Sequence, residues 1–373
     1  MEDTATLGKS ISSNPTMVRS DNVESLHVRK HSGEKAIRLL DQLRIRDRNL
    51  RIRSDNDHIL IPVSRSLSES ETKSILAELE DAQFIESSFS RKTRYAHSLS
   101  EALEEKLSPS LLELLPHSID MIGTVAIVEL PEELHDNREI VGEGIMQINR
   151  NIRTVLAKAG PVSSQVRTRE LSIIAGEKVT ETTHREQGLS FAVDVSKVYF
   201  SPRLSFERSR VATQVRENEM VVDMFAGVGP FAVQIAANCR KVIVYAIDIN
   251  PYAVRYLLRN VAINRVKGKV IGVLGDSRFI IPNHLSNIAD RVIMNLPGEA
   301  LRYVETACLA LKSEGGILHC YSFSNKPQLT EEASQELLSA LKRAHREPDE
   351  MITRVVKSTA PHQWQIAVDV KVK

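Results

Sequence analysis

Short apolar runs that each stop at a polar residue dominate the latter part of this chain. Val221-Val222 stops at Asp223, Val242 to Ile247 at Asp248, Val270 to Leu274 just before Asp276, and Arg291 to Met294 at Asn295-Leu296-Pro297. Runs of this length between stretches of helical spacing predict the buried parallel strands of a doubly wound sheet. Gly315 to Tyr321 predicts a fifth strand, and a polar helix follows over about Thr330 to Ala344. Ile352 to Lys357 and Trp364 to Val372 predict two late strands that close the sheet. In the second of these, Trp364, Ile366, Val368, Val370 and Val372 share one face.

The pattern upstream is different. Met121 to Leu130 reads as one strand, and Val141, Ile145, Ile148, Ile152 and Val155 fall at the spacing of a core-facing helix. Arg150, Arg153 and Lys158 point elsewhere, toward a partner. Strands are then expected at Val166 to Ile174, Thr180 to Arg185 and Ser190 to Val195, which makes a small α+β domain. Nearer the start, Ser32 is placed to cap a helix carrying Ala36, Ile37, Leu39, Leu40 and Leu43, and Asp57 to Val63 is strand-like. The Ser- and Glu-rich stretch Ser64 to Ser110 reads as a connector with short helical pieces such as Ser98 to Leu107. Met1 to Asn22 is polar and Ser-rich, as a disordered tail is. The expected organisation is a tail over 1–22, an N-terminal α+β domain over 23–95, a middle α+β domain over 96–200 and a doubly wound α/β domain over 201–373.

The richest stretch is Val221-Val222-Asp223-Met224-Phe225-Ala226-Gly227-Val228-Gly229-Pro230-Phe231. A strand ends in an acid, a Gly-Val-Gly loop turns, and a helix begins. Glycine lets backbone approach a ligand with no Cβ in the way, and the helix N-terminus favours negative charge. A two-glycine loop alone can be a plain strand–helix turn. Here it is joined by Asp248, where a ribose diol would be held, and by polar residues ending two further strands. The fuller Gly-x-Gly-x-x-Gly pattern of dehydrogenases is absent.

Composition changes the picture little. The net charge of +1 announces no global affinity for nucleic acid, although Arg44, Arg46, Arg48, Arg51 and Arg53 crowd one segment. That cluster is either a solvated face or a phosphate-contacting patch. The cysteines, Cys239, Cys308 and Cys320, lie far apart without metal-ligand spacing, so no metal site is expected and a reducing, cytoplasmic setting is. No apolar run approaches the roughly 18 residues that span a bilayer, and no secretory signal is present.

Asp223-Met-Phe-Ala-Gly-Val-Gly-Pro-Phe-Ala with Asp248 and Asn295-Leu-Pro resembles an S-adenosylmethionine-dependent methyltransferase domain, Rossmann-like and of class I. The segment Val198-Tyr199-Phe200-Ser201-Pro202-Arg203-Leu204-Ser205-Phe206-Glu207-Arg208-Ser209-Arg210-Val211 narrows this. With the glycine loop, Asn295-Leu296-Pro297, His184-Arg185-Glu186 and Ile119-Asp120-Met121-Ile122-Gly123, it closely resembles the archaeal and eukaryotic tRNA guanine-N1-methyltransferase family over about residues 23 to 373. The resemblance implies three domains, tRNA as partner, S-adenosyl-L-methionine as methyl donor, and methylation of N1 of guanosine at tRNA position 37. It also implies a monomer that needs no obligatory protein partner.

Guanine N1 carries a proton at neutral pH, so a general base must take it as the methyl arrives, and a cation near O6 would help. The resemblance implies Glu207 as base, Arg167 at O6, and Asn295 at the guanine or the methionine moiety. A glutamate beside Arg203, Arg208 and Arg210 is more usually an ion-pair partner, and Arg169 offers an alternative register to Arg167. For the cofactor, the loop reading gives Asp223, Gly227 and Gly229. The resemblance adds Arg208, Asp248, Ile249, Asp276, Ser277, Asn295 and Pro297. For tRNA, the candidates are Tyr199, Arg203, Arg44, Arg46 and Arg48. Tyr199 either stacks on a base or packs at a domain junction.

Three rivals exist. Cys320 ends the fifth strand roughly where carbon-5 pyrimidine methyltransferases carry a nucleophile, but no Pro-Cys context surrounds it. Wyosine-pathway enzymes share the architecture and act on the same nucleotide, by aminocarboxypropyl transfer or by methylating a tricyclic intermediate. A tRNA-binding protein with a vestigial pocket would lack the joint presence of Glu207, Asp248 and Asn295. Leu296 and Gly298, in place of the Pro-Pro-aromatic of amino-group methyltransferases, argue against an exocyclic amine target.

Overall fold

The structure, a computed structural model, describes residues 20–79, 81–91, 96–158, 170–325, 329–360 and 362–373. The chain divides into two units, Met1–Tyr95 and Ala96–Lys373.

The first unit runs β1 (Ser20–Arg29), α1 (Gly33–Gln42), β2 (Arg53–Asp55), β3 (His58–Pro62), α2 (Glu69–Glu78) and β4 (Gln83–Ser90). Its sheet has the order β2-β3-β1-β4, and Leu26, Val28 and Ile61 of the strands pack on Ala36, Leu40 and Ile75 of the helices. Two expectations are corrected here. Ser20 to Asn22 belong to β1 rather than to a tail, because β1 pairs with β4 from Ser20↔Ser90 to His27↔Gln83. The same pairing makes the supposed connector part of this fold up to Ser90. Its helix α2 starts at a capping box, with Ser68 and Glu71 each accepting the other's backbone N–H. Ser32 does hold the N-cap position of α1, but its hydroxyl meets His31 Nδ1 at 3.0 Å and caps no amide.

The second unit opens with α3 (Leu99–Leu103), α4 (Pro109–Glu113), β5 (Ile119–Ile122), β6 (Val125–Val128), α5 (Arg138–Ile148), β7 (Thr154–Lys158) and β8 (Leu171–Gly176). These make a sheet of order β5-β6-β7-β8, with α5 as the crossover between parallel β6 and β7. The single strand expected over Met121 to Leu130 is instead a hairpin, turned at Gly123 with a φ of 57°. The expected long helix is shorter. Val141, Ile145 and Ile148 lie on α5, but Asn149 caps it, and Val155 lies on β7, fully buried. Apolar residues on a helix and on the strand after it happened to match one helical period. The antiparallel pair β9 (Glu181–Glu186) and β10 (Leu189–Asp194) follows.

The rest is α6 (Ser205–Gln214), β11 (Met220–Asp223), α7 (Pro230–Asn238), β12 (Ile243–Asp248), α8 (Pro251–Ile263), β13 (Val270–Leu274), α9 (Ser277–His284), β14 (Arg291–Met294), α10 (Val304–Ala310), β15 (Gly316–Ser324), α11 (Leu329–Arg343), β16 (Pro348–Ala360) and β17 (Gln363–Val372). The seven strands have the order β13-β12-β11-β14-β15-β17-β16. The first five are parallel, and β17 returns antiparallel against β15 and β16. This is the Rossmann-like α/β sheet expected from the sequence. Helices cover both faces: Val211, Phe231 and Leu257 of α6, α7 and α8 pack on one, and Ile281, Val304 and Leu337 of α9, α10 and α11 on the other.

Two asparagines, Asn260 on α8 and Asn264 at its C-cap, join this sheet to the preceding block. Asn260 and Asn264, one helical turn apart, each take the backbone N–H and C=O of a β10 residue, Ala192 and Ser190 respectively, at 2.8 to 3.1 Å. Asn260 is fully buried and also donates to the Val228 carbonyl in the glycine loop at 3.0 Å. Replacing Asn260 by Ala leaves three buried backbone groups without a partner. The expected cost is about 3 kcal/mol, read as a lower melting midpoint of the purified chain. A midpoint within a degree of wild type would show that these contacts carry no net stability.

Candidate active site

Four of the sequence-predicted residues sit at the carboxyl ends of adjacent parallel strands: Asp223 on β11, Asp248 on β12, Asp276 after β13 and Asn295 after β14. This is where open α/β sheets take ligands. The glycine loop crosses the first two ends. Gly229 has a φ of 83°, the left-handed region that favours glycine, and a Cβ there would also have to displace Leu257 Cδ1, 2.1 Å away. Gly227 has a φ of 56°, and the nearest atom to the place of its missing Cβ is the Tyr199 carbonyl oxygen at 3.9 Å. The space above Gly227 is open, with the Tyr199 backbone at its border, and Tyr199 is 44% exposed.

Asp248 fixes that loop. Its Oδ2 accepts the Gly227 N–H at 2.7 Å and its Oδ1 accepts the Asn250 N–H at 2.8 Å, which leaves lone pairs for a diol. Burial raises its carboxyl above the usual range against those two amides. Asp223 is fully buried, and neither carboxylate oxygen has a hydrogen bond of normal geometry. Burial pushes its carboxyl up to about 7; the Phe225 N–H opposes this and the Asp248 charge adds to it. A buried unpaired carboxylate beside an open glycine loop fits a cationic, donor-rich ligand, as S-adenosylmethionine is.

Other expected residues are placed differently. Ser277 is buried, and its hydroxyl donates to the Met224 carbonyl at 2.7 Å, so it holds the loop's backbone. Asp276 caps α9 and pairs with Arg278 at 2.5 Å, which keeps its carboxyl below the usual range. Arg208 is buried, with Nε and Nη2 on Glu186 at 2.7 and 2.6 Å and Nη2 on the Ser201 carbonyl at 3.0 Å. Its guanidinium ties α6 to β9. Arg203 Nε donates to Asp120 at 2.6 Å, with Ser118 beside it, which ties it within its own unit. Ile249 is exposed, as a residue facing ligand would be, and Pro297 is buried in the turn after Asn295. Arg167 and Arg169 lie outside the described residues.

Glu207 lies in the first turn of α6 and is 3% exposed. Arg210 donates to it with Nε at 3.1 Å and with Nη2 at 2.9 Å, and the Tyr321 hydroxyl donates at 3.1 Å. Arg354 Nε stands 3.4 Å from Oε1. Burial and the neighbouring carboxylate push Tyr321 far above its ordinary range, so it remains a donor. Asn295 leaves the sheet just past Met294, which is in register with Cys320, and its amide oxygen accepts from Gln365 Nε2 at 3.4 Å. Burial pushes the Cys320 thiol up to about 12, which disqualifies it as a nucleophile at neutral pH.

Tyr303 and Arg278, which no motif signalled, complete the site beside Phe225 of the glycine-loop stretch. Phe225 meets Tyr303 edge-on at 4.9 Å, and Arg278 lies 5.2 Å over the Tyr303 ring, forming an aromatic wall beside Asp276. The pair Asn260 and Asn264, polar residues one turn apart on an apolar helix, was the one visible hint of a loop anchor.

In the first unit, Arg46 and Arg48 both bind Asp41, Arg46 by two bonds of 2.9 and 2.8 Å. Arg46 is thus spent locally, a correction to its expected free role. Arg44 and Arg48 are exposed on an open depression of about 600 Å³ that Asp41 and Asp47 also line. Among the described residues, no cluster of His, Cys, Asp and Glu could hold a metal.

A family model described as the TRM5/TYW2 methyltransferase domain matches residues 182–348. The TYW2 N-terminal domain matches 99–180, and the tRNA methyltransferase 5 N-terminal domain matches 26–71. A tRNA (guanine(37)-N(1))-methyltransferase Trm5b from Pyrococcus abyssi is 37% identical over 340 residues, 91% of this chain and 96% of that protein. The chain belongs to the tRNA (guanine(37)-N(1))-methyltransferase family. A solved complex of aTrm5 and tRNALeu superposes with a TM-score of 0.78 at 31% identity, covering 94% of this chain and 99% of that one. A tRNA 4-demethylwyosine(37)-methyltransferase Taw21 from Saccharolobus solfataricus is 33% identical over 255 residues, 68% of this chain and 93% of that protein.

The Asp223 environment sets a pH dependence. A folded value of about 7 lies above the unfolded one, so folding takes up a proton between them. The stability this contributes is present below about pH 4 and is lost as pH rises through 7, by about 4 kcal/mol at most. Asp223→Asn keeps the shape without titrating. Melting curves without cofactor should show wild type falling behind the variant as pH rises from 5 to 8. Parallel curves would mean that Asp223 is ionised throughout.

Proposed function

We propose that this protein transfers the methyl group of S-adenosylmethionine to N1 of the guanosine at position 37 of tRNA. The observation that carries this reading is the extent of the family likeness. It runs through the segment 26–71 that matches the tRNA methyltransferase 5 N-terminal domain, whereas the demethylwyosine methyltransferase relative covers only 68% of the chain. Methylation of a wyosine intermediate is therefore the second reading.

S-adenosylmethionine supplies a methyl group on a sulfonium, and Asp223, Gly227, Gly229, Asp248, Ile249 and Asn295 are assigned to hold it, with Ser277 and Asn260 fixing the loop behind them. Asp248 offers a charge-assisted acceptor to the ribose hydroxyls. Glu207 accepts the guanine N1 proton, which frees the nitrogen lone pair. Asn295, steadied by Gln365 and followed by Pro297, presents its amide to the base. Arg167 is assigned to O6 by the family likeness, and Tyr199, at the rim of the glycine loop, to stacking on a base. Arg208 and Arg203 keep α6 in place. We further propose that the protein acts as a monomer without an obligatory protein partner. Three free, buried cysteines suit the cytoplasm, where its tRNA substrate is. Among the described residues, no helix is long and apolar enough to cross a membrane.

The test is mass spectrometry of nucleosides from tRNA transcript incubated with enzyme and S-adenosylmethionine. 1-Methylguanosine at position 37 is expected, and Glu207→Gln should slow single-turnover transfer by roughly 10²-fold with both affinities kept. An aminocarboxypropyl adduct, or activity only on a tricyclic base, would replace this reading.

The first unit is assigned to tRNA affinity through exposed Arg44 and Arg48, contacts that position rather than specify. Removing residues 1–95 should leave S-adenosylmethionine affinity unchanged, weaken tRNA binding and flatten its salt dependence. An unchanged salt slope would make the arginines a solvated face only.

A further inference from the structure

The last hairpin of the sheet carries charged groups that none of the roles above uses. Asp369 on β17 accepts from Arg210 Nη1 at 2.6 Å and from Arg354 Nη2, the same two arginines that stand on Glu207. On its other side it meets His319 Nδ1 at 2.6 Å. His319 is fully buried, and its Nε2 lies 2.6 Å from Arg291 Nη1. Arg291 in turn pairs with Glu219 at 3.0 Å.

Proton positions follow from this chemistry. Arginine has no acceptor, so Arg291 donates and His319 Nε2 accepts. The ring proton is therefore on Nδ1, donated to Asp369, and His319 is neutral. Burial, outweighing the pull of Asp369, also holds the ring below its ordinary range. Burial alone would raise the Asp369 carboxyl, but the His319 hydrogen bond and the arginines together keep it well below the usual range. The network is thus balanced: Glu207, Asp369 and Glu219 are negative, and Arg210, Arg354 and Arg291 are positive. Among the described residues, the groups facing Glu207 are Arg210 from α6, Tyr321 from β15 and Arg354 from β16, with Asp369 of β17 behind both arginines.

We propose that Asp369 is a positioning residue for methyl transfer: by sharing Arg210 and Arg354 with Glu207, it draws guanidinium charge off the carboxylate that must take the guanine N1 proton. This rests on the reading of Glu207 as the base. Two arginines bound to Glu207 alone would make it a poor proton acceptor. A second carboxylate on their far side divides their charge and fixes the direction in which Glu207 points. In the step itself, the N1–H bond breaks with its proton going to Glu207. The N1 electron pair forms the new bond to the methyl carbon, and the carbon–sulfur pair leaves on sulfur.

The experiment compares wild type, Asp369→Asn, Arg354→Gln and Glu207→Gln. Single-turnover rates are measured across pH, with separate affinities for tRNA and S-adenosylmethionine. Infrared spectra across pH follow the carboxylate band that Glu207→Gln removes. Asp369→Asn should lower the plateau rate about 10-fold and move the acid limb to lower pH by about half a unit or more, with affinities unchanged. Arg354→Gln, which takes one guanidinium away, should move the limb the opposite way. The infrared titration should move with the limb in each variant, independently of turnover. Limbs and bands that stay at the wild-type pH, or move the same way in both variants, beside a slow Glu207→Gln would overturn the proposal alone. A near-normal rate in Glu207→Gln would overturn the base reading and the proposal with it. Should Asp369→Asn fail to fold, Arg354→Gln decides, since its side chain is 25% exposed and less confined.

Discussion

The carboxylate of Asp248 is the constraint on which the site's geometry rests. It stands at the end of β12 and accepts the N–H groups of Gly227 and Asn250, so one half-buried group sets both the glycine loop and the start of α8. Asn250 passes the constraint on, donating to the Lys197 carbonyl at 2.8 Å while capping α8 at Tyr252. From the same helix, Asn260 reaches the Val228 carbonyl and the backbone of Ala192. The loop is therefore held by Asp248 of β12 on one side and by Asn260 of α8 on the other, and Asn250 at the N-cap of α8 holds the segment before Tyr199. A ligand entering above Gly227 meets donors and acceptors already oriented, which is how a loop of small residues gains precision.

The parts of this arrangement that depend on short-range pattern were legible. Apolar runs ending in Asp223, Asp248, Asp276 and Asn295 placed four strand ends, because a parallel strand buried on both faces has to read that way. The glycine loop was legible because its turn needs left-handed backbone, with a φ of 56° at Gly227 and 83° at Gly229. Errors arose where two elements shared a period or where pairing was long-range. Val155 matched the helical spacing of α5 yet lies on the next strand. Ser20 and Ser90 pair across the whole first unit, and nothing local to either announces it. Arg208 illustrates a third kind of failure. It lies in the most specific motif, but whether its guanidinium faces a ligand or Glu186 depends on a strand 22 positions away.

The final hairpin shows what alternation can and cannot tell. Even-numbered residues of β17 were readable as an apolar face, and Ile366, Val368, Val370 and Val372 do pack under α9, α10 and α11. The odd face looked merely less apolar. In the sheet, its Asp369 registers with His319 and its Gln365 with Phe323, and the neighbouring positions are Tyr321 and Ala367. Arg291 of β14 joins them on the side covered by α6, where its Nη2 donates to the Gln214 carbonyl. A polar stripe thus runs across three strands beneath one helix, and no single segment carries enough of it to be seen.

Such a stripe is an expensive way to hold a helix on a sheet. Charges taken from water are repaid only by near-complete pairing, and apolar residues of similar volume would pack as well or better. Along this stripe the repayment is close. Arg291, Arg210 and Arg354 each meet a carboxylate, and His319 serves as a neutral link whose two nitrogens are both bonded. The stripe runs from Glu219, at the start of β11, to Glu207, next to the strand ends that form the site. A purely structural tie would need only its first members, since Glu219 with Arg291 already joins β11, β14 and the end of α6. Its continuation through Asp369 and Arg354 ties α6 to the last hairpin as well, Arg210 to β17 and Glu207 to β16, beside the apolar packing of Val211 and Ala212. The continuation also sets a fixed group of donors around one buried carboxylate, Glu207. On the proposal that Glu207 is the base, the antiparallel hairpin, which lies outside the five parallel strands, takes part in the chemistry.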